Sequence, residues 1–300
     1  MGGSSTRNRH QQLGRGIMKD LLFGASDLYT WDKVKPWAES IRDSGFDGDV
    51  VLLVYRADMD TFTVEADKLD IQLIHTDRDN HGRLIDHNAG GRDTQCHQMR
   101  FFHMWQFLSQ RKEIPYERVI TTDVRDVIFQ RNPTEWLNQH EVYDANIVAP
   151  SEGIKYGKEA WNKDNMAQGF GPYVSQYTNE HTVYNVGTIA GGAYAMRDLA
   201  LLIFSMGEGR YIPNDQSSFG LLMNGSLFDV VPASMNDAWC CQCASTLEPE
   251  RAHVWPHLLE DRPVIKDGYA YTTAGEMFYL LHQYDRVPEL KESVEARYGV

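Results

Sequence analysis

The stretch Val119-Ile-Thr-Thr-Asp-Val-Arg-Asp-Val-Ile-Phe-Gln-Arg-Asn-Pro133 places two carboxylates, Asp123 and Asp126, at the end of an apolar run. An apolar run of this length predicts a β-strand, and ligands of open α/β sheets bind outside the carboxyl ends of the strands. Carboxylates are also the ligands that Mg²⁺ and Mn²⁺ prefer. The stretch therefore indicates a divalent-cation site. The alternative is structural: Asp123 caps a turn, and Asp126 pairs with Arg125 or Arg131.

Strand and helix patterns alternate on the N-terminal side of this stretch. Residues 49–55 (DVVLLVY) form a nearly continuous apolar run, which is typical of a strand covered on both faces. Further strands are predicted over 19–24, 69–74 and 118–122, and helices over 34–44, 61–68 and 95–111. Such alternation predicts an α/β fold with a mostly parallel central sheet flanked by helices.

The second half of the sequence is less regular. Residues 153–184 are rich in Gly, Asn, Tyr and Trp, and we interpret them as a long functional loop with short helices. Strands are predicted over 145–149, 185–196 and 227–231, and helices over 198–206, 215–223 and 288–298, with a further helical segment starting at 274. Asp198 and Asp215 are interpreted as the caps of their helices.

The composition is that of an ordinary globular protein. The 300 residues are 42% hydrophobic and 24% charged. The net charge of −13 disfavours binding to nucleic acid. No run approaches the ~20 apolar residues of a membrane span. We interpret residues 1–17 as a disordered extension or tag, and 18–300 as a single domain.

Four cysteines are present, three of them crowded together. Cys240, Cys241 and Cys243 form a cluster, while Cys96 stands alone. A zinc site would need a second pair of ligands at a suitable spacing, so we interpret these residues as reduced, buried thiols. The low cysteine count favours a reducing compartment, and we expect a cytoplasmic location.

The segment Thr122–Gln130, followed by Asn-Pro, resembles the DxD region of the GT-A glycosyltransferases, which are Rossmann-like enzymes that use nucleotide sugars. It departs from a strict DxD motif because two residues separate Asp123 from Asp126, and position 125 is an arginine. Alignment on the downstream proline matches Asp126 to the family's second, metal-binding aspartate. The resemblance then implies that Asp123 contacts the nucleotide or the metal.

Two further segments match the family in order along the chain. Residues 185–192 (NVGTIAGG) look like its glycine-rich stretch beside the acceptor sugar, which implies acceptor binding by Asn185, Gly191 and Gly192. A β-turn or bulge would explain the same glycines. Asn214-Asp-Gln216 is similar to the Asp-Gln helix start beneath the donor sugar, which implies catalytic roles for Asp215 and Gln216. A plain helix cap is the alternative.

The C-terminal segment 280–286 (LLHQYDR) resembles the histidine motif of glycogenin-like members. In those enzymes a histidine completes the metal site, so the resemblance makes His282 a third metal ligand beside the two carboxylates. The alternative for His282 is a buried core residue. Arg286 is interpreted as a phosphate ligand or as a partner of Asp285.

The family also implies where the donor lies. The end of the first predicted strand would lie against the nucleoside, which assigns donor binding to Gly24, Ala25, Ser26 and Tyr29. Arg100, on the helix before the aspartate-bearing strand, is placed where similar enzymes hold the diphosphate.

The resemblance covers about residues 18–286 and implies an Mn²⁺- or Mg²⁺-dependent hexosyl- or pentosyltransferase. Its donor would be a nucleotide sugar, its acceptor a glycan or another molecule, and its product would retain the anomeric configuration. The alternatives are a nucleotidyltransferase that makes nucleotide sugars and a non-catalytic sugar-binding module. The sequence lacks G-x-G-x-x-G after the first strand and lacks a Walker A motif, which argues against an NAD site or a P-loop.

Overall fold

The structure is a computed structural model that describes residues 18–85, 94–207 and 214–300. The predicted extension over 1–17 lies outside these ranges. The β-strands, numbered in chain order, are β1 Lys19–Ser26, β2 Asp49–Val54, β3 Ile71–His75, β4 Tyr116–Thr122, β5 Val127–Phe129, β6 Asn146–Lys155, β7 Thr182–Tyr184, β8 Thr188–Gly192, β9 Asp229–Ala233, β10 Cys240–Gln242, β11 Val264–Lys266, β12 Tyr269–Tyr271 and β13 Leu280–His282.

The α-helices of the same ranges are α1 Trp31–Asp43, α2 Met59–Lys68, α3 Thr94–Ser109, α4 Pro133–Gln139, α5 Ala160–Phe170, α6 Pro172–Tyr177, α7 Ala193–Gly207, α8 Asp215–Met223, α9 Cys243–Thr246 and α10 Pro288–Tyr298. None of the described helices combines the length and the apolarity that crossing a bilayer requires.

The main sheet has the strand order β3-β2-β1-β4-β8-β6-β7, and β9 pairs with β6. Strands β3, β2, β1 and β4 run parallel, β8 is antiparallel to both of its neighbours, and β9 runs parallel to β6. The carboxyl ends of β1, β4 and β6 therefore lie at one edge of the sheet. This confirms the predicted α/β class with a largely parallel central sheet flanked by helices.

Two hydrophobic clusters cover opposite faces of the sheet. In β1, Leu22 belongs to the cluster beneath α1 and α2, whereas Leu21 and Phe23 belong to the cluster beneath α3 and α7. The same alternation in β2 sends Leu52 to the first cluster and Leu53 to the second. Successive side chains of a strand point to opposite faces, which explains why a strand between two helical layers is apolar throughout.

A small three-stranded sheet of order β10-β13-β5 lies beside the main one. In its register His282 is opposite Val127 on one side and Gln242 on the other. Helix α10 closes this region, with Leu290 and Val294 fully buried. The sheet therefore brings His282, at the end of β13, next to Asp126, which immediately precedes β5.

The segment 153–184 contains short helices, as predicted, but its two ends are strands rather than loop, since β7 occupies Thr182–Tyr184. Strand β6 continues to Lys155, and α5 and α6 fill most of the remainder. The second half of β6 was not predicted, because Gly153 interrupts the apolar pattern. The strand continues through this glycine, whose φ is +70°. The cap assigned to Asp198 is also wrong, since α7 begins at Ala193 and Asp198 lies inside it.

The helical segment predicted from residue 274 is wrong as well. Residues 274–279 form turns and a bridge that lead into β13. The predicted helix over 288–298 coincides with α10, and Pro288 is its first residue. All four cysteines are buried, and the described residues contain no disulfide.

Candidate metal centre and donor site

Three side chains that the sequence analysis singled out meet at the sheet edge. Asp123 follows β4, Asp126 precedes β5, and His282 ends β13. One ligand atom from each lies within 4.8 Å of the other two. His282 Nε2 is 3.4 Å from Asp123 Oδ2 and 4.0 Å from Asp126 Oδ1. Across the described residues this is the group placed to hold a metal ion, and it contains no cysteine.

The backbone fixes the two aspartates from outside the cluster. The Asp123 N–H donates to the Gly187 carbonyl at 2.9 Å, and the Gln283 N–H donates to the Asp126 carbonyl at 2.6 Å. Each carboxylate is thereby tied to the neighbouring segment of the site: Asp123 to the turn before β8, and Asp126 to the end of β13.

A hydrogen bond sets the proton position on His282. Its Nδ1 lies 2.9 Å from Gln242 Oε1, which can only accept, so Nδ1 carries the proton. Nε2 then presents a lone pair to the carboxylates, and among the described residues this buried atom has no hydrogen-bond partner. Metal-binding histidines characteristically donate their other ring N–H to a neighbouring acceptor, which fixes the tautomer and the ring orientation.

These observations fit a divalent cation. Two carboxylates and a neutral imidazole match the preferences of Mn²⁺, and a buried nitrogen without a partner is the kind of atom that a metal ion would satisfy. The side chains of Asp126 and His282 are 8% and 3% exposed, whereas that of Asp123 is 31% exposed. The opening therefore lies on the side of Asp123.

Each carboxylate of the cluster also has an arginine. Arg100 pairs with Asp123 and reaches Asp215 at 3.2 Å. Arg125 lies 2.9 Å from Asp126 and 3.5 Å from Asp285. Pairing of this kind stabilises the ionised carboxylates in a partly buried setting.

The charges shift the pKa values of Asp123 and His282. Burial opposes ionisation of Asp123, but Arg100 and His282 outweigh burial and hold the pKa of that carboxyl well below its usual range. Burial likewise acts to lower the pKa of His282, but Asp123 and Asp126 outweigh it and raise that pKa. Protons therefore compete with a cation for His282 rather than for Asp123.

Gly187 lies directly against the side chains of His282 and Asp123. A β-carbon at this position would lie 2.6 Å from His282 Cε1, 2.8 Å from His282 Nε2 and 2.9 Å from Asp123 Oδ2. These distances are shorter than van der Waals contact, so a glycine is required for steric reasons. The sequence pattern placed the important glycines at 191 and 192 instead.

Gly191 and Gly192 lie away from the cluster. In the pairing of β8 with β4, Thr188 is opposite Thr122 at the end that carries Asp123, whereas Gly192 is opposite Arg118 at the other end. A side chain at either glycine would strike the backbone near residues 144–147. Their small size thus serves close packing of the sheet. Asn185, in contrast, accepts from the N–H of Gly187, which adjoins the cluster, at 2.7 Å.

Asn185 belongs to a buried polar network around Glu152, a residue that the sequence analysis missed. Glu152 Oε1 accepts from Asn185 Nδ2 at 2.9 Å, and Glu152 Oε2 accepts from Asn162 Nδ2 at 3.2 Å. Burial raises the pKa of the Glu152 carboxyl, with Asn185 opposing the shift. Glu152 lies near the carboxyl end of β6, at the same edge of the sheet where Asp123 follows β4. A carboxylate at this position also indicates a ligand site. The signal was lost because the strand was expected to end at residue 149.

The two predicted catalytic residues are both engaged within the protein. Gln216 Oε1 accepts from the Val186 N–H at 3.0 Å, and Gln216 Nε2 donates to the Tyr184 carbonyl at 3.0 Å and to Asn162 Oδ1 at 3.1 Å. Asp215 begins α8 and pairs with Arg100. Gln216 therefore fixes the segment 184–187, and Asp215 fixes Arg100.

The predicted donor residues are divided between two places. Gly24, Ala25 and Ser26 end β1 at the same sheet edge as Asp123, and Gly24 is opposite Thr122. Tyr29 is half-buried, and the charges of Arg125, Asp126 and Asp123 all act on the pKa of its phenol, which burial raises. Arg286 lies 3.7 Å from Glu248, apart from the three-residue cluster.

Comparisons with known proteins extend these observations. No protein-family model and no curated protein matches the sequence. Among solved structures, the apo structure of WbbM, a bifunctional glycosyltransferase, aligns with a TM-score of 0.54 at 10% identity, covering 93% of this chain and 50% of that one.

A second solved structure, the glycosyltransferase GlyE of Streptococcus pneumoniae, aligns with a TM-score of 0.48 at 13% identity and covers 88% of this chain. The chain spans about half the length of both structures that it matches. The likeness to WbbM concerns the fold: this chain has an α/β architecture that a solved glycosyltransferase also adopts.

Proposed function

We propose that this protein is a metal-dependent glycosyltransferase that moves a hexosyl or pentosyl group from a nucleotide-sugar donor to a carbohydrate-type acceptor, with retention of configuration. The observation that carries the proposal is the cluster of Asp123, Asp126 and His282 at the carboxyl edge of the sheet. The orientation of His282 by Gln242 and the fold shared with a solved glycosyltransferase support it.

In this proposal Asp123, Asp126 and His282 Nε2 hold Mn²⁺ or Mg²⁺. The bound cation would stabilise the negative charge that develops on the departing diphosphate. Gln242 keeps the imidazole in the tautomer that offers Nε2. Arg100 maintains Asp123 as a carboxylate and holds Asp215 beside it.

The nucleoside is proposed to lie at the end of β1, against Ser26 and Tyr29. The donor sugar lies toward Asn185 and Asp215, on the other side of the carboxylates. Helix α5 borders this side, because Asn162 of α5 reaches both Glu152 and Gln216. Exclusion of water there would limit wasteful hydrolysis of the donor.

A donor screen tests the proposal. The purified protein is incubated with a panel of nucleotide sugars in Mn²⁺, Mg²⁺ or EDTA, and free nucleoside diphosphate is measured. We expect slow, cation-dependent release from one donor. Pyrophosphate release from a sugar phosphate and a nucleoside triphosphate would establish a nucleotidyltransferase instead. Sugar binding that ignores both cation and nucleotide would establish a binding module.

Two variants link that activity to the cluster. Asp126→Ala and His282→Ala should each abolish the cation-dependent release while leaving the circular dichroism spectrum of the protein unchanged. The anomeric configuration of the transferred sugar, read by NMR, tests retention. Full activity in either variant would show that these side chains are core residues rather than ligands.

A further inference from the structure

The two arginines at the cluster differ in exposure and in the number of groups that hold them. Arg100 is 10% exposed, is held by both Asp123 and Asp215, and lies over the Phe101 ring. Arg125 is 41% exposed, and its contacts with Asp126 and Asp285 come from one guanidinium nitrogen. Asp126 is only 8% exposed, so Arg125 can leave it only when another cation takes its place, whereas Arg100 is fixed by two carboxylates.

Arg125 also occupies a particular place between the parts of the site. It contacts Asp126, which faces His282. The phenol of Tyr29, three residues beyond the end of β1, lies near enough to Arg125, Asp126 and Asp123 for their charges to act on it. Tyr29 lies at the proposed nucleoside end, and Asp126 at the proposed cation. The diphosphate of a nucleotide sugar joins these two ends, so it would lie beside Arg125.

The present pairing disfavours a bound cation alone, even though Arg125 contacts Oδ2 of Asp126 and His282 faces Oδ1. A divalent ion on Asp126 would share that carboxylate with the guanidinium 2.9 Å away, and like charges at such separations repel. A diphosphate would remove the conflict, because its oxygens accept bonds from the guanidinium and bind the cation at the same time.

We propose that Arg125 is an exchangeable counter-ion, which holds Asp126 in the free protein and moves to the diphosphate of the donor when a divalent cation takes Asp126. The inference rests on the proposed function, since it takes the cluster as the cation site. It follows that cation and diphosphate bind cooperatively, and that Arg125, which lies between Asp123 and Asp126 in the sequence, produces this coupling.

Equilibrium dialysis of Mn²⁺, with and without inorganic pyrophosphate, tests the exchange, and the protein-free chamber reports the Mn²⁺–pyrophosphate complex. In the wild-type protein we expect pyrophosphate to tighten Mn²⁺ binding by about tenfold or more. In Arg125→Gln, Mn²⁺ alone should bind several-fold more tightly, and the coupling should fall to about twofold or less. Arg125→Lys keeps the charge and should restore part of the coupling.

The matched control is Arg197→Gln, because Arg197 also pairs with the aspartate that follows it, 2.6 Å away, on the distant helix α7. This variant should behave as the wild type. Wild-type coupling that persists unchanged in Arg125→Gln would overturn the inference and leave the cation site standing. Mn²⁺ binding that His282→Ala does not weaken, or no Mn²⁺ binding to the wild type, would overturn the proposed site itself.

Discussion

At the scale of single residues, the hydrogen bond between His282 and Gln242 determines which ring nitrogen faces the carboxylates. One ring nitrogen donates to an amide oxygen, and the other faces two carboxylates without a hydrogen bond. The C-terminal motif identified the histidine, but no local pattern connects it with Gln242, which lies 40 residues away. That partner follows from the pairing of β10 with β13, which no local pattern encodes.

Gln242→Met should weaken Mn²⁺ binding by about 10- to 100-fold, because the imidazole would lose the acceptor that orients it. The measurement is Mn²⁺ dialysis, with the thermal unfolding midpoint recorded in parallel. Gln72→Met, at an exposed position of β3, serves as the control. Unaltered Mn²⁺ affinity in Gln242→Met would exclude an orienting role for Gln242.

Glu152 predicts a pH-dependent stability. Its pKa in the folded protein is raised by burial, so the folded state holds this proton more tightly than the unfolded chain does. The resulting stability is present below the pKa of the unfolded chain, about 4.3, and is lost as the pH rises through the folded pKa.

Glu152→Gln removes this loss, because glutamine stays neutral at all pH values. The free energy of unfolding of the variant should therefore become larger relative to that of the wild type, which means a more stable variant, as the pH rises from about 3.5 toward 7. Urea unfolding in EDTA measures it, with the exposed Glu292→Gln as the control. A difference that does not change with pH would contradict the raised pKa.

At the scale of elements, the turn from Asn185 to Gly187 is held from several sides. Asn185 Oδ1 accepts from the Gly187 N–H at 2.7 Å, and Gln216 accepts from the Val186 N–H. The carbonyl of Gly187, the last residue of this turn, accepts from the Asp123 N–H. A network that fixes the backbone beside a ligand site favours preorganisation of that site.

Gly187→Ala should lower Mn²⁺ affinity by about tenfold or more, because the added methyl would displace His282 and cover its Nε2. The φ angle of Gly187 is not positive, so backbone strain adds nothing. In Gly225→Ala the new β-carbon comes no closer than 3.3 Å to other atoms, which makes it the matched control. Equal Mn²⁺ affinity in both variants would show that cation binding does not require the space that Gly187 leaves next to His282 Nε2.

Predictability also differs between elements. Strands β1, β2 and β4 and helices α1 and α10 could be placed from the sequence because their periodicity or capping residues are local signals. The three-residue strands β5, β10 and β13 could not, because so short a segment has no periodicity. Their existence depends on pairing across the chain, and they carry Gln242 and His282 and adjoin Asp126.

At the scale of the whole molecule, α10 secures the small sheet. Leu290→Ala would leave a cavity in a fully buried cluster and should cost about 2–5 kcal/mol of unfolding free energy. Glu292→Ala, on the exposed side of the same helix, should stay within about 0.5 kcal/mol of wild type. Urea unfolding measures both, and a small effect of Leu290→Ala would show that α10 is dispensable for stability.

The assembly of the small sheet from distant parts of the chain has a consequence for protein synthesis. The ribosome synthesises the chain from its N-terminus. Strands β1 to β4 can therefore pair before the strand that bears His282 has been synthesised. A nascent or prematurely terminated product that stops before residue 280 would carry both aspartates but would lack the imidazole. Under the proposed function such a product would lack the third ligand of the cation, so sugar-transfer activity would report that translation has passed residue 282.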